Sequence, residues 1–215
     1  MKTVVFGANG RLGKYVVEGL LARGDHVRAF VHLRDDLPRH GHLEVHRGDV
    51  HEITDVAKAV SGVDVVVSCL GSMGAPIPDV SSVAITHLIP AMKAACISRI
   101  ISVTGSGAYD EGEETSPHPF LRARHDAVKA RMPQLLADGE RHLRILRQSD
   151  LHWTALRAPM LTADEPTTYA LSLEPAAPST TLPYRAVAAA IIALAPTQDW
   201  LCAAPFVKPA TARRR

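Results

Sequence analysis

Three glycines at a three-residue spacing lie within VVFGANGRLGKYVV, residues 4–17. A β-branched and aromatic run, residues 3–6, leads into Gly7, and apolar residues recur at helical spacing around and after Gly13. A glycine has no β-carbon, so its backbone can adopt left-handed conformations and can be approached closely. The pattern therefore predicts a strand, a tight glycine turn and a helix.

The rest of the chain alternates short apolar runs with stretches of helical periodicity. Further strands are predicted over residues 26–31, 43–46, 64–70, 99–104, 152–157, 169–173 and 200–206. Helices are predicted to begin near Thr54, to span residues 83–96 and to begin at Tyr184. Another helical region ends at about Ser149, with candidate breaks at Pro133 and Gly139. The nearly unbroken apolar run at 64–70 is typical of a strand buried on both faces of a parallel sheet. This alternation predicts a Rossmann-type, doubly wound α/β fold, in which ligands bind at the carboxyl ends of the strands.

Length and composition predict one domain over residues 1–208, followed by a basic tail at 209–215. A chain of 215 residues buries enough apolar surface to fold without a disulfide or a structural metal. Its net charge of +2 is too small for a dedicated nucleic-acid surface. The longest apolar run, 186–195, is about half the length of a membrane helix, and the first strand begins too early for a signal peptide. We therefore expect a cytoplasmic protein that binds neither nucleic acid nor membranes.

Cysteines and histidines give no metal-binding pattern. The three cysteines lack a Cys-x-x-Cys pair. Four histidines lie between residues 40 and 51, but without a regular ligand spacing. We expect no metal site.

The position of the glycine turn predicts a dinucleotide site. The turn opens the first helix, whose unpaired N–H groups and positive dipole end attract anions. Gly7 would permit the turn, Gly10 the close approach of a pyrophosphate, and Gly13 the close packing of helix and sheet. A purely structural turn is the alternative interpretation.

The end of the second strand predicts which dinucleotide binds. NAD enzymes place a carboxylate there, on the ribose 2′-hydroxyl, whereas this chain has Val31-His32-Leu33-Arg34. A guanidinium fork suits a 2′-phosphate, so Arg34 with His32 favours NADP over NAD. The alternative is that Arg34 is a solvated loop charge beside two aspartates. Asp49, just after the third strand, is predicted at the adenine amino group or, alternatively, in an ordinary turn.

Four further stretches match a known family in order and spacing. They are GDV at 48–50, AVSGVDVVVSCLGS at 59–72, MKAACISRIISVTG at 92–105 and LRQSDLHWTALRAPML at 146–161. With the Gly-x-x-Gly-x-x-Gly turn, they resemble the atypical short-chain dehydrogenases of the NAD(P)-binding, NmrA-like class. Within that class the chain is most similar to the biliverdin reductase B and flavin reductase group, over roughly residues 2–195.

The resemblance implies a single Rossmann domain with NADPH along the strand ends and an aromatic acceptor stacked on the nicotinamide. The cofactor-binding residues expected from the turn, the strand ends and the resemblance are Gly7, Asn9, Gly10, Arg11, Leu12, Gly13, His32, Arg34, Asp49, Val50, Leu70, Gly71, Thr104, Gly105, Arg157, Pro159 and Met160. Two positions depart from the group. Its serine after the fifth-strand threonine is shifted to Ser106, and Met160 replaces a histidine of the mammalian reductases, which disfavours a tetrapyrrole acceptor.

The residues available for catalysis limit the reaction. Short-chain dehydrogenases that reduce carbonyls pair a tyrosine with a lysine four residues later, and no tyrosine in this chain has one. A flavin or quinone delocalises the incoming charge, so positioning can supply most of the acceleration. The candidate polar neighbours of such an acceptor are Ser106, Tyr109, His125 and His142.

These observations predict an NADPH-dependent reductase of a small aromatic acceptor, a flavin or quinone, acting by direct hydride transfer. The alternative is a non-enzymatic NADP(H) sensor of the NmrA-like type, which would bind a partner protein. A monomer or a homodimer is expected.

Overall fold

The computed structural model describes residues 1–73, 77–164 and 168–210. Strands and helices alternate along the chain from the first residues. Their order is β1 (Lys2–Phe6), α1 (Arg11–Ala22), β2 (His26–Val31), β3 (Leu43–Arg47), α2 (Ile53–Val60), β4 (Val65–Ser68), α3 (Val80–Ala94), β5 (Arg99–Gly105), α4 (Pro119–Arg131), α5 (Pro133–Arg147), β6 (His152–Ala158), β7 (Met160–Thr162), β8 (Tyr169–Ser172), β9 (Thr181–Pro183), α6 (Tyr184–Leu194) and β10 (Phe206–Pro209).

The main sheet has eight strands in the order β3-β2-β1-β4-β5-β6-β10-β8. Its strands are parallel, except that β8 runs antiparallel to β10 at the edge. Two short strands, β7 and β9, form a separate parallel pair. The strand order reverses between β1 and β4, and in doubly wound sheets the ligand crevice opens at this reversal. The predicted Rossmann-type α/β fold is confirmed.

Each face of the sheet carries its own hydrophobic core. Along β1, Val4 and Phe6 pack with α2, α3 and α5 on one face, while Val5 packs with α1 and α6 on the other. The same alternation continues in β4, whose Val66 and Val67 are fully buried on opposite faces. A strand with helices on both faces must be apolar throughout, which explains the unbroken apolar run that predicted β4.

Two predicted features are corrected by the structure. Pro133 does separate α4 from α5, but α5 runs without a break through Gly139. That glycine serves packing, because a Cβ there would lie 2.6 Å from Oγ1 of Thr104. The last strand is β10 rather than residues 200–206, because Trp200 and Cys202 adopt φ angles of 58° and 53°, which turn the chain. Within the predicted basic tail, residues 211–215 lie outside the described part of the chain.

Candidate functional site

A cleft of about 530 Å³ opens at the carboxyl ends of β1, β2, β3 and β4. It therefore lies at the reversal of strand order, where the fold places ligands. It brings together the predicted residues Gly7, Asn9, Gly10, His32, Arg34, Asp49, Val50 and Leu70. It also contains residues that the sequence did not single out: Lys14, Phe30, Val31, Leu33, Asp36, His51, Ile77 and Val80.

The glycine turn forms the floor of this cleft. Gly7 has a φ of +74°, and a Cβ there would lie 3.0 Å from the backbone carbonyl of Cys69, the residue that follows β4. Gly10 is the N-cap of α1 and has no side chain to accept a hydrogen bond from the first helical N–H groups. Those amides can therefore bind a ligand. Gly13 packs so closely that a Cβ would lie 2.0 Å from the oxygen of Gly7. The turn is a cradle of backbone amides with no side chain filling it, which suits a pyrophosphate.

The neighbours of the turn have separate roles. Leu12 is buried in the core between α1 and α6, so only its backbone faces the turn. Arg11 is exposed, and its Nη1 lies 3.5 Å from the hydroxyl of Tyr184. A Cβ at Gly71 would meet nothing within 4 Å, so that segment leaves open space beside the cleft.

Arg34 occupies the end of the cleft beyond β2. Its backbone oxygen accepts a hydrogen bond from Nδ2 of Asn9, at 2.5 Å, which ties this segment to the glycine turn. The two aspartates that follow have cation partners: Asp36 lies 2.6 Å from Nζ of Lys14, and Asp35 lies 3.9 Å from Arg47. Among the ion pairs of the described residues, none uses the guanidinium of Arg34. Arg34 is thus a cation that lines the cleft and forms no ion pair within the described part of the chain.

The ends of β5 and β6 lie on the other side of the reversal. Ser106 donates its backbone N–H to the oxygen of Ala158 at 2.8 Å, which holds the two strand ends together. Ser106 and Pro159 line a second, much smaller cavity with Phe120 and Arg124. Thr104 and Gly105 end β5, and Met160 is 48% exposed beside Pro159. These residues surround the region where the resemblance places the nicotinamide.

Arg157 is buried and makes its contacts within the protein. It is 2% exposed, its Nε donates to the oxygen of Ala204 at 2.8 Å, and its Nη1 lies 2.5 Å from Oε2 of Glu113. Its guanidinium also lies 3.7 Å from the ring centre of Phe206. These contacts connect the 110–118 loop to the sheet, and Arg157, predicted to bind the cofactor, lines neither of the two cavities.

His142 is an interior residue of α5. It is 1% exposed, and its Nε2 lies 2.8 Å from Oγ of Ser102 on β5. Burial lowers the pKa of this imidazole to about 4. The ring is therefore neutral and packs between α5 and the sheet. This position disagrees with its predicted place beside an acceptor.

Tyr109 and Ser106 differ in their access to a cavity. The Tyr109 ring stacks on His125 at 4.0 Å between ring centres, and Nε2 of His125 lies 3.5 Å from Glu140. Burial raises the pKa of the Tyr109 hydroxyl, so it stays protonated at neutral pH. Of the four candidate polar neighbours, Ser106 lines the smaller of the two cavities, and the other three line neither.

The buried neutral His142 predicts an acid-sensitive stability. Its folded pKa of about 4 lies below the roughly 6.5 of an unfolded histidine, so the unfolded chain binds more protons between these values. Stability is thus fully present above pH 6.5 and is lost as the pH falls. We expect urea unfolding to show a loss of about 2 kcal/mol from this group between pH 7.5 and pH 5. His142→Gln, which does not titrate, should lack this component, whereas the exposed His152→Gln should retain it.

A metal cluster and a membrane-spanning helix are both absent from the described residues. They contain no group of three or more His, Cys, Asp or Glu side chains able to hold a metal ion. None of the helices they form is long and apolar enough to cross a membrane.

Comparison with known proteins identifies the family. Residues 7–198, which include the glycine turn and all the strand ends of the cleft, match the family described as NAD(P)H-binding. The chain belongs to this NAD(P)H-binding family. The family gives the class of ligand that the chain binds, a nicotinamide dinucleotide.

Solved structures share the fold of this NAD(P)H-binding chain at low sequence identity. The oxidoreductase ylbE from Lactococcus lactis has a TM-score of 0.80 at 22% identity, covering 99% of this chain and 92% of that one. A wide-type short-chain dehydrogenase/reductase from Veillonella parvula, in complex with NADP, has a TM-score of 0.76 at 22% identity, covering 96% and 94%. ChuY from Escherichia coli O157:H7, an anaerobillin reductase, has a TM-score of 0.74 at 21% identity, covering 100% of both chains.

Curated relatives match a shorter segment of the chain. Sterol demethylase protein B from Methylococcus capsulatus is 41% identical over 66 residues, which are 30% of this chain and 20% of that protein. A 3-beta-hydroxysteroid dehydrogenase from Mycolicibacterium neoaurum is 38% identical over 65 residues, 30% of this chain and 18% of that protein. The match thus spans about a fifth of the length of these relatives.

Proposed function

We propose that this protein is an NADPH-dependent reductase that passes a hydride directly to a small conjugated acceptor, a flavin or a quinone. The observation that carries the choice of cofactor is Arg34, a cation on the cleft with no carboxylate partner among the described ion pairs. The NADP complex of the Veillonella parvula protein and the anaerobillin reductase ChuY support the same class of reaction.

The cleft residues would divide the cofactor between them. The free amides at the start of α1 bind the pyrophosphate, because the helix dipole adds a positive potential there. Arg34 with His32 binds the 2′-phosphate of the ribose, and Asp49 accepts a hydrogen bond from the adenine amino group. When bound, NADPH supplies the hydride.

The acceptor would lie against apolar side chains at the ends of β5 and β6. Phe120 and Met160 are 46% and 48% exposed there, and Phe120 shares the small cavity with Ser106. Exposed large apolar side chains beside a cleft suit a planar aromatic ring. Tyr109 stacks on His125 and lines neither cavity, so we assign it no role as an acid. A conjugated acceptor fits this arrangement, since its charge is delocalised and water can supply the proton.

The test is turnover with NADPH deuterated at C4. We expect NADPH oxidation with flavin mononucleotide or a simple quinone, transfer of one deuterium from a single face, and a primary isotope effect. Phe120→Ala should raise the KM for the acceptor several-fold and leave the Kd for NADPH unchanged. If the protein binds NADPH but oxidises it no faster than solution alone with any flavin or quinone, the reductase proposal is wrong and a sensor role replaces it.

A further inference from the structure

Four titratable side chains form a row along one wall of the cleft. Nε2 of His32 lies 3.5 Å from Oδ2 of Asp49, Nδ1 of His51 lies 2.9 Å from Oδ1 of Asp49, and Nε2 of His51 lies 3.5 Å from Oδ1 of Asp79. The row alternates imidazole and carboxylate groups. It joins the loop after β3 to Asp79, the N-cap residue of α3, and so connects two walls of the cleft.

His51 makes the two oxygens of Asp49 inequivalent. Oδ1 accepts both the backbone N–H of His51, at 2.9 Å, and its ring Nδ1. An ionised carboxylate can only accept, so Nδ1 of His51 carries a hydrogen. Oδ2 makes no such contact with His51 and belongs to a side chain that is 38% exposed on the cleft. The carboxylate is therefore held by His51 through Oδ1, while Oδ2 lies 3.5 Å from Nε2 of His32 on the cleft.

When the His51 ring is neutral, its Nε2 makes no hydrogen bond with Asp79. Nε2 of His51 and Oδ1 of Asp79 are both shielded from solvent and have no hydrogen-bond partner among the described residues. With Nδ1 already protonated, a neutral ring points a lone pair at a carboxylate oxygen. A second proton turns this contact into a hydrogen bond. The bond to Asp49, and then the contact with Asp79, raise the pKa of His51 against the opposing effect of burial.

We infer that His51 is a positioning residue for the adenine base: its doubly protonated ring holds Asp49 and Asp79 together and keeps Oδ2 of Asp49 turned toward the exocyclic amine. This inference rests on the proposed placement of adenine at Asp49. Loss of the second proton frees the ring from Asp79 and loosens the carboxylate that it holds. The affinity for adenine nucleotides should then fall as the pH rises.

Other titratable groups lie near the row on α1, α2, α3 and the loop after β2. Asp55, on α2, accepts the backbone N–H of Asp49 at 3.2 Å, and His87, on α3, contacts the backbone oxygen of Val50 at 2.8 Å. Lys14, Arg34 and Asp36 line the same cleft from α1 and the loop after β2. His32 is the one other imidazole in contact with Asp49 among the described residues, so it needs its own variant.

The experiment is calorimetric titration of the full chain with ADP-ribose at pH 6.5 and pH 8.5 and constant ionic strength. ADP-ribose has neither the 2′-phosphate nor the nicotinamide, so no phosphate monoester titrates in this range. We expect binding about five- to tenfold weaker at pH 8.5, the equivalent of one hydrogen bond. Titrations near neutral pH in buffers of different ionisation enthalpy should show proton uptake on binding.

Two substitutions of His51 separate positioning from bulk packing. His51→Leu should bind ADP-ribose five- to tenfold more weakly at pH 6.5 and show no pH dependence. His51→Asn keeps a donor for Asp49 but cannot titrate, so it should match the wild-type affinity at pH 8.5 at both pH values. His152→Gln, an exposed histidine at the opposite end of the sheet, should retain the wild-type profile, and urea unfolding checks that each variant folds.

Several results would overturn the inference. They are a wild-type affinity independent of pH, a His51→Asn variant that keeps the pH dependence, and a pH dependence that disappears in His32→Gln instead. Failure of ADP-ribose to bind at either pH would remove adenine from Asp49. Because these experiments measure binding, absence of turnover would refute the proposed reductase and leave this inference intact. In turn, a failure of the binding predictions would refute this inference and leave the proposed reductase intact.

Discussion

Replacing Gly13 by alanine should destabilise the protein by more than about 3 kcal/mol and abolish NADPH binding. The new Cβ would lie 2.0 Å from the oxygen of Gly7, 2.8 Å from its carbonyl carbon and 2.9 Å from Cα of Ala8. Overpacking costs about 1–3 kcal/mol when side chains can move, and here the obstacle is backbone. The turn can admit the methyl group only by moving away from α1, and that movement removes the amide cradle.

The matched control for Gly13→Ala is Gly41→Ala. A Cβ at Gly41 meets nothing within 4 Å, and the residue does not have a positive φ. Its stability should change by less than about 0.5 kcal/mol, as for an ordinary surface substitution. Urea unfolding measures the first effect and calorimetric titration with NADPH the second. A Gly13→Ala variant with wild-type stability and affinity would show that helix and turn do not need this close approach.

The central part of the fold follows from local sequence signals. β1 and α1 flank the glycines where the change from an apolar run to helical spacing predicts them, and β4 is unbroken because helices cover both its faces. The edge of the sheet carries no comparable signal. β10 begins at Phe206 because the chain first turns at Trp200 and Cys202. Neither tryptophan nor cysteine favours the left-handed conformation that these residues adopt, so the sequence does not predict the turn.

The candidate site likewise contains residues that local sequence patterns predict and residues whose contacts depend on distant parts of the chain. The residues predicted from the glycine turn and from strand ends, such as Arg34 and Asp49, do line the cleft, because strand ends of one parallel sheet meet at one edge. No sequence signal marks His51, two residues after Asp49, because a lone histidine in a turn does not reveal its contact with distant Asp79. The pairing of Arg157 with Glu113 is equally hidden, because the two residues lie 44 positions apart in the chain.

Arg34→Ala should weaken NADPH binding about 100-fold and change NADH binding by less than about twofold. A guanidinium fork forms charge-assisted hydrogen bonds with a phosphate, each contributing about 1.5–3 kcal/mol, and 1.4 kcal/mol corresponds to a tenfold change. NADH has a hydroxyl in place of that phosphate and gains little from the cation. Arg34→Lys should fall between, because an ammonium keeps the charge but not the fork.

Arg39→Ala is the control that distinguishes a specific contact from general attraction. Arg39 is an exposed arginine five residues further along the same segment and outside the residues that line the cleft. If Arg34 acted only by raising the positive potential of this surface, removal of Arg39 would weaken NADPH by a comparable factor, and 0.5 M salt would remove both effects. A fork bound directly to the phosphate requires a large loss for Arg34 alone. Equal losses of NADPH and NADH in Arg34→Ala would instead exclude Arg34 from the 2′-phosphate.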